Sequence, residues 1–287
     1  MDLSIKIVSL HCKHNIYAMF IFNDKDSLEA FLSPLINQKK TIGLVPTMGA
    51  LHEGHQSLIQ QSVNENQITV VSIFVNPTQF NNSEDLEKYP RTLERDITKI
   101  KEINDLILVY APTVEDIYGN NPVAKQYDFD GLEQQMEGKQ RPGHFDGVGT
   151  IITKLFAIVK PTNAYFGEKD FQQLFLIKTI AAGVEIVTAP TFREPDGMAA
   201  SSRNARLTQE GRQAAAVIFS ALKGAGSEDQ LRQMLATEPL FQLDYADFID
   251  EVDFTHAHGG TQNVRAIVAG WINGVRLIDN MRMELRA

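Results

Sequence analysis

Residues 68–75, read I-T-V-V-S-I-F-V, constrain the fold more than any other stretch of the chain. The β-branched residues follow one another without polar alternation, so neither face of such a strand meets water. Strands of this kind belong to parallel sheets covered by helices on both sides. Parallel neighbours need helical crossovers, and the flanking sequence has the pattern for them. Strands are expected at 41–46, 106–110, 164–166 and 184–187, alternating with helices at 56–64, 89–104, 148–159 and 171–182.

The pattern changes after about residue 190. Helices at 208–222 and 227–236 come first, then strands at 245–252, 264–271 and 275–278, separated by turns such as His258-Gly259-Gly260 and Asn273-Gly274. The expected fold class is therefore α/β: a Rossmann-like, doubly wound parallel sheet over residues 1–190, with a smaller C-terminal α+β domain over 191–287. Residues 1–18 read as an extension.

The balance of 27 basic against 36 acidic residues leaves a net charge of −9, which argues against a nucleic-acid or anionic-membrane surface. Cys12 is the only cysteine, so no intrachain disulfide can form. No apolar run approaches the roughly 20 residues that cross a bilayer. His11, Lys13 and His14 interrupt the N-terminal apolar stretch and no small-residue cleavage site follows it, so no signal peptide is expected. The cytoplasm is the expected compartment.

Chemistry gathers in the loops. His52-Glu53-Gly54-His55 follows a strand and the turn Pro46-Thr47-Met48-Gly49. Two histidines at this spacing share a helix face. A helix N-terminus there presents unpaired N–H groups and the positive end of the macrodipole, both suited to phosphate. Gly49 and Gly54 let a nucleotide approach the backbone. The imidazoles can then donate to an α-phosphate and to departing pyrophosphate. The spacing falls one residue short of the H-E-x-x-H zinc pattern, which sets a zinc site aside. Two surface histidines at a helix start are the plain alternative.

Asn76-Pro77-Thr78-Gln79-Phe80 follows the buried strand, where parallel sheets bind ligands, and offers amides without charge. The loop from Gly138 to Phe145 holds Lys139, Arg141 and His144 and suits an anion, or equally a solvated turn. Gly167-Glu168-Lys169-Asp170 stands at another strand-to-helix junction, with Lys169 as a mobile cation or as part of a capping cluster. Ser201-Ser202-Arg203-Asn204 combines hydroxyls with a guanidinium able to grip phosphate oxygens, although Ser201 also suits a helix cap.

The strings L-V-P-T-M-G-A-L-H-E-G-H, V-S-I-F-V-N-P-T-Q-F, Y-P-R-T-L, R-P-G-H-F, F-G-E-K-D-F-Q-Q and S-S-R-N, with the tail W-I-N-G-V-R-L-I-D-N, resemble in order the blocks of the pantothenate synthetase (pantoate–β-alanine ligase) family. That family belongs to the H-x-G-H nucleotidylyltransferase superfamily. The resemblance implies ATP-dependent condensation of pantoate with β-alanine through a pantoyl adenylate, with Mg²⁺ accompanying ATP. It implies ATP contacts from Met48, Gly49, Ala50, Leu51, His52, Glu53, Gly54 and His55, and from Gly167, Glu168, Lys169, Asp170, Phe192, Ala200, Ser201, Ser202 and Arg203. His55, His52 and Lys169 would be catalytic. Gln79 and Gln173 would bind pantoate, with Asn76 and Arg141 as secondary contacts and Asp96 facing magnesium. The C-terminal domain would act as a lid, and a homodimer is expected. Thr78 stands where methionine is common in the family.

Two other functions fit parts of the pattern. One is nucleotidyl transfer to a phosphorylated acceptor, against which the uncharged Asn76, Gln79 and Gln173 weigh. The other is a nucleotide-binding regulator without turnover, against which His52, His55, Lys169 and Arg203 weigh.

Overall fold

In the computed structural model the described residues are 5–9 and 18–283. The expected extension over 1–18, with Cys12, lies largely outside them. Within it, β1 (Ile5–Ser9) runs antiparallel to β2 (Ala18–Phe22). The chain continues through α1 (Lys25–Asn37), β3 (Ile42–Thr47), α2 (Glu53–Glu65), β4 (Ile68–Ile73), α3 (Ser83–Lys88), α4 (Leu93–Ile103), β5 (Leu108–Tyr110) and α5 (Val114–Tyr118). Then come α6 (Met136–Gln140), α7 (His144–Val159), β6 (Asn163–Gly167), α8 (Phe171–Ile180) and β7 (Glu185–Ala189).

These strands form one sheet in the order β1-β2-β5-β4-β3-β6-β7, parallel from β2 to β7. Val70 and Val71 of β4 are completely buried, as expected for a strand covered on both faces. From β3 the chain builds outward through β4 and β5 on one side, and later through β6 and β7 on the other. The order thus reverses between β3 and β6, and the carboxyl ends of the strands at such a reversal are where open α/β sheets bind ligands.

The helix expected over 89–104 is two helices. Pro90 has no N–H to donate and holds Tyr89 extended, at φ −65° and ψ 126°, so α3 ends there and α4 begins only at Leu93. The helix α2 begins before the expected position 56, with His52 itself as its N-cap. Helix α1, which the apolar pattern did not announce, is capped by Asp24, whose side chain accepts the Ser27 N–H at 2.8 Å.

A second compact unit takes the chain from Pro190 onward together with Glu168–Phe171, four residues expected in the N-terminal domain. Its elements are α9 (Gln209–Gly224), α10 (Glu228–Leu235), β8 (Gln242–Asp250), β9 (Val264–Ile272) and β10 (Val275–Arg282). The strands pair antiparallel in the order β10-β9-β8, and the helices pack Ile218, Leu222, Leu231 and Leu235 against Phe248, Val268 and Ile272 of the sheet. Among the described residues no helix is long and apolar enough to cross a membrane.

Candidate active site

In the first unit, the turn leaving β3 carries Met48, Gly49, Ala50 and Leu51 in a conformation that the chain adopts only under constraint. Gly49 has φ +82° and Ala50 φ +49°, a left-handed pair of which only the first is a glycine. Asp96 of α4 supplies the constraint. Its carboxylate accepts the N–H of Ala50 at 3.0 Å, the N–H of Leu51 at 2.8 Å and the hydroxyl of Thr92 at 3.1 Å. Lys99, one turn along the same helix, donates to the Leu51 carbonyl at 2.6 Å. Thr47 completes the frame, accepting the Gly49 N–H at 3.2 Å and donating to the Ser72 carbonyl at 2.8 Å. A Cβ at Gly49 would lie 3.1 Å from the Asp96 carboxylate, so little else fits.

The turn delivers the chain into α2. His55 Nδ1 accepts the backbone N–H of His52 at 3.4 Å, and the two rings lie 4.0 Å apart between centroids. A neutral His55 whose Nδ1 accepts must carry its hydrogen on Nε2, a tautomer assigned from that bond. Nε2–H is then a donor at a helix N-terminus, the arrangement an oxyanion needs.

Beside it, at the end of β4, a single 3₁₀ turn Pro77–Gln79 presents Gln79. The Gln79 amide nitrogen lies 2.7 Å from the Met48 sulfur, which joins the two turns. Asn76 is 1% exposed, and its amide donates to Gln79 Oε1 at 3.2 Å and to the Gly147 carbonyl at 3.1 Å. Its oxygen accepts the Tyr118 hydroxyl at 2.7 Å and the Thr78 hydroxyl at 3.1 Å. Burial pushes the Tyr118 hydroxyl above its ordinary pKa, against the opposing effect of its bonds to Thr78 and Asn76, so it remains a donor. Asn76, expected as a secondary substrate contact, is thus bonded to protein partners and orients Gln79.

Helix α7 grips the same turn. His144 Nδ1 lies 2.8 Å from the Gln79 carbonyl, and its Nε2 lies 3.0 Å from Arg141. Since a guanidinium can only donate, Nε2 accepts and Nδ1–H donates. Gly147 touches the turn so closely that a Cβ would come within 2.3 Å of the Thr78 carbonyl and 2.5 Å of the Gln79 nitrogen. Gln173, the other expected pantoate contact, is half-buried on α8. Its neighbour Gln172 is buried and donates to the carbonyls of Leu132 at 2.8 Å and Gln135 at 3.1 Å, a role in holding the chain.

The remaining expected residues, Gly167 apart, lie in the second unit. Lys169 stands in a 3₁₀ turn, its ammonium 3.6 Å from Asp170. The stretch from Phe192 to Ala200 doubles back on itself, with the Ala200 N–H donating to Phe192 at 2.9 Å. Ser201 caps the 3₁₀ turn Ser202–Arg206, accepting the Arg203 N–H at 3.2 Å, while α9 has its own cap in Thr208.

Asp96, expected to face magnesium, is 1% exposed with three donors on its carboxylate and organises the backbone of the turn. The side chains missed by sequence reasoning are Thr47, Lys99 and Tyr118, while His144, expected only as part of an anion-suited loop, holds the Gln79 turn. Lys99 could have been found from its place three residues after Asp96 on one helix face.

The family profile described as pantoate-beta-alanine ligase matches residues 20–282. A pantothenate synthetase of Flavobacterium psychrophilum is 48% identical, over 93% of this chain and 100% of its own. One of Bacteroides fragilis is 44% identical, over 93% of this chain and 99% of its own. Among solved structures, pantothenate synthetase from Thermus thermophilus superposes with a TM-score of 0.84 at 37% identity, covering 91% of this chain and 98% of that one. The pantoate-beta-alanine ligase of Francisella tularensis, complexed with beta-gamma ATP and beta-alanine, has a TM-score of 0.81 at 37% identity, covering 92% and 98%.

Proposed function

The chain belongs to the pantoate–β-alanine ligase family, and from that premise we propose that it joins pantoate to β-alanine with ATP by way of a pantoyl adenylate, releasing AMP and pyrophosphate. The observation that carries this reading is the junction of a phosphate-suited turn with an uncharged amide pocket. The left-handed Gly49-Ala50 turn and the His55 donor stand at the start of α2, and Gln79 meets Met48 beside them.

A carboxylate nucleophile is already ionised near neutral pH, so the first step needs charge stabilisation more than a base. An oxygen of pantoate's carboxylate bonds to the α-phosphorus as the bond to pyrophosphate breaks. His55 Nε2–H donates to the charge that develops, and His52 stands beside it. Gln79 recognises the hydroxy acid without placing a competing charge near its carboxylate, and Gln173 and Arg141 are assigned to the same substrate. In the second step the neutral amine of β-alanine attacks the acyl carbon, AMP leaves, and the amine gives up its proton. Lys169, Ser201, Ser202 and Arg203 are assigned to the ATP phosphates, with Glu53, Gly54, Gly167, Glu168, Asp170, Phe192 and Ala200 completing ATP binding. Mg²⁺ enters with ATP as part of the substrate. Pantoate recognition by Gln79, Gln173 and Arg141 belongs to the first unit, and the active form is a homodimer.

The test is product release. Pantoate with ATP and Mg²⁺ should release pyrophosphate, and steady AMP release should require β-alanine. Pyrophosphate release with pantetheine phosphate but none with pantoate would overturn the reading in favour of nucleotidyl transfer.

A further inference from the structure

Lys169 leaves the parallel sheet in sequence but is held by the second unit. Glu168–Phe171 groups with the chain after Pro190, tied there by Asn280 of β10, by Arg265 of β9 and by the ring of Phe254. Asn280 is 3% exposed. Both hydrogens of its amide are used, one on the Glu168 carbonyl at 2.9 Å and one on the Lys169 carbonyl at 2.8 Å. Its oxygen accepts from Arg265, a guanidinium 4% exposed that also lies 3.5 Å from the Glu168 carboxylate and stacks 4.1 Å over the Phe171 ring. The peptide on each side of the Lys169 α-carbon is therefore fixed.

The preceding residue, Asp279, performs the matching task on the other loop. It accepts two bonds from Arg193, at 2.7 Å and 3.1 Å. The same guanidinium donates to the Gly197 carbonyl at 3.0 Å, which holds closed the stretch from Phe192 to Ala200 that leads into Ser201.

We propose that Asp279 and Asn280 are positioning residues for ATP, setting Lys169 and the Ser201–Arg203 segment in fixed relation to one another from a single strand. This deepens the ligase reading and rests on its assignment of Lys169 to the nucleotide. A sequence scan sees only the polar end of an apolar strand here, because neither residue need touch the ligand.

The test uses the full-length protein and Asn280, since losing Asp279 would strand a half-buried arginine. Asn280→Asp keeps the acceptor for Arg265 and removes both donors; Asn280→Ala removes all three bonds. ATP affinity is measured by calorimetry without pantoate, so the result does not depend on turnover. Both variants should melt cooperatively, bind ATP roughly 10-fold or more weakly, as misplacement of a contact group predicts, and leave the KM for pantoate unchanged. Wild-type ATP affinity in both variants would overturn the proposal. So would loss of cooperative melting in both, which would make Asn280 a stability residue. Wild-type protein that binds ATP but releases no pyrophosphate with pantoate would count against the ligase reading alone.

Discussion

Leu51 and Asp96 stand 45 positions apart in sequence, yet the backbone N–H of Leu51 donates to the Asp96 carboxylate at 2.8 Å. The neighbouring N–H of Ala50, a residue in the left-handed region, donates to the other oxygen at 3.0 Å. The Gly49–Ala50 turn is therefore shaped by a helix later in the chain.

Asp96→Asn puts an N–H against one of those amides and removes the charge from a fully buried bonding group. A loss of about 2 kcal/mol is expected, as for hydrogen bonds to charged groups. Differential scanning calorimetry without ATP or Mg²⁺ should show an earlier melt. An unchanged melt with weakened Mg²⁺ affinity would instead give Asp96 a role toward the metal.

Gly147→Ala tests the pocket beside that turn. The added methyl overlaps the Thr78 carbonyl and the Gln79 backbone, so the turn carrying Gln79 must move. The KM for pantoate should rise roughly 10-fold or more, on the scale of a misplaced binding group, with the KM for ATP unchanged. Equal rises in both would deny Gln79 a selective role.

His55→Ala should slow adenylate formation by roughly 100-fold or more, the cost of one oxyanion donor. The tautomer refines this. His55→Gln places an amide N–H near the Nε2 position and should recover part of the rate, whereas His55→Asn, which imitates the Nδ1 side, should recover none. Single-turnover kinetics in the absence of β-alanine make the comparison.

Acid stability should carry the mark of Glu251 in the second unit. Burial pushes its carboxyl up, but bonds from Arg282 and Arg265 outweigh that and hold it below the usual carboxylate range. A carboxyl with a depressed folded-state pKa contributes stability above its unfolded pKa and loses it as pH falls through the folded value. Glu251→Gln should therefore be less stable than the parent at neutral pH. The gap should close as pH drops through and below the ordinary carboxylate range. Urea melts at several pH values measure it, and a constant gap would remove Glu251 from the effect.

The parallel sheet was legible because strands buried on both faces leave continuous apolar runs, and Val70 and Val71 do so plainly. The helix break at Pro90 was legible in principle from the proline and lost to the apolar period around it. The turn after β3 and the start of α2 were legible from glycine, histidine and the preceding strand. The turn's support from Asp96 was not, nor were the hold of His144 on the Gln79 turn and of Asn280 on carbonyls 112 and 111 positions away, since each acts on backbone groups distant in sequence. Local pattern carries no trace of such contacts. The grouping of Glu168–Phe171 with the C-terminal unit escaped sequence reading for the same reason.

The most direct test of the account follows an atom. Pantoate labelled with heavy oxygen in both carboxylate positions is turned over with ATP, Mg²⁺ and β-alanine, and the products are weighed by mass spectrometry. If the carboxylate attacks the α-phosphorus and the amine later cleaves the acyl–oxygen bond, AMP carries one labelled oxygen and pyrophosphate carries none. Unlabelled AMP, or label in inorganic phosphate with ADP as the nucleotide product, would contradict the adenylate.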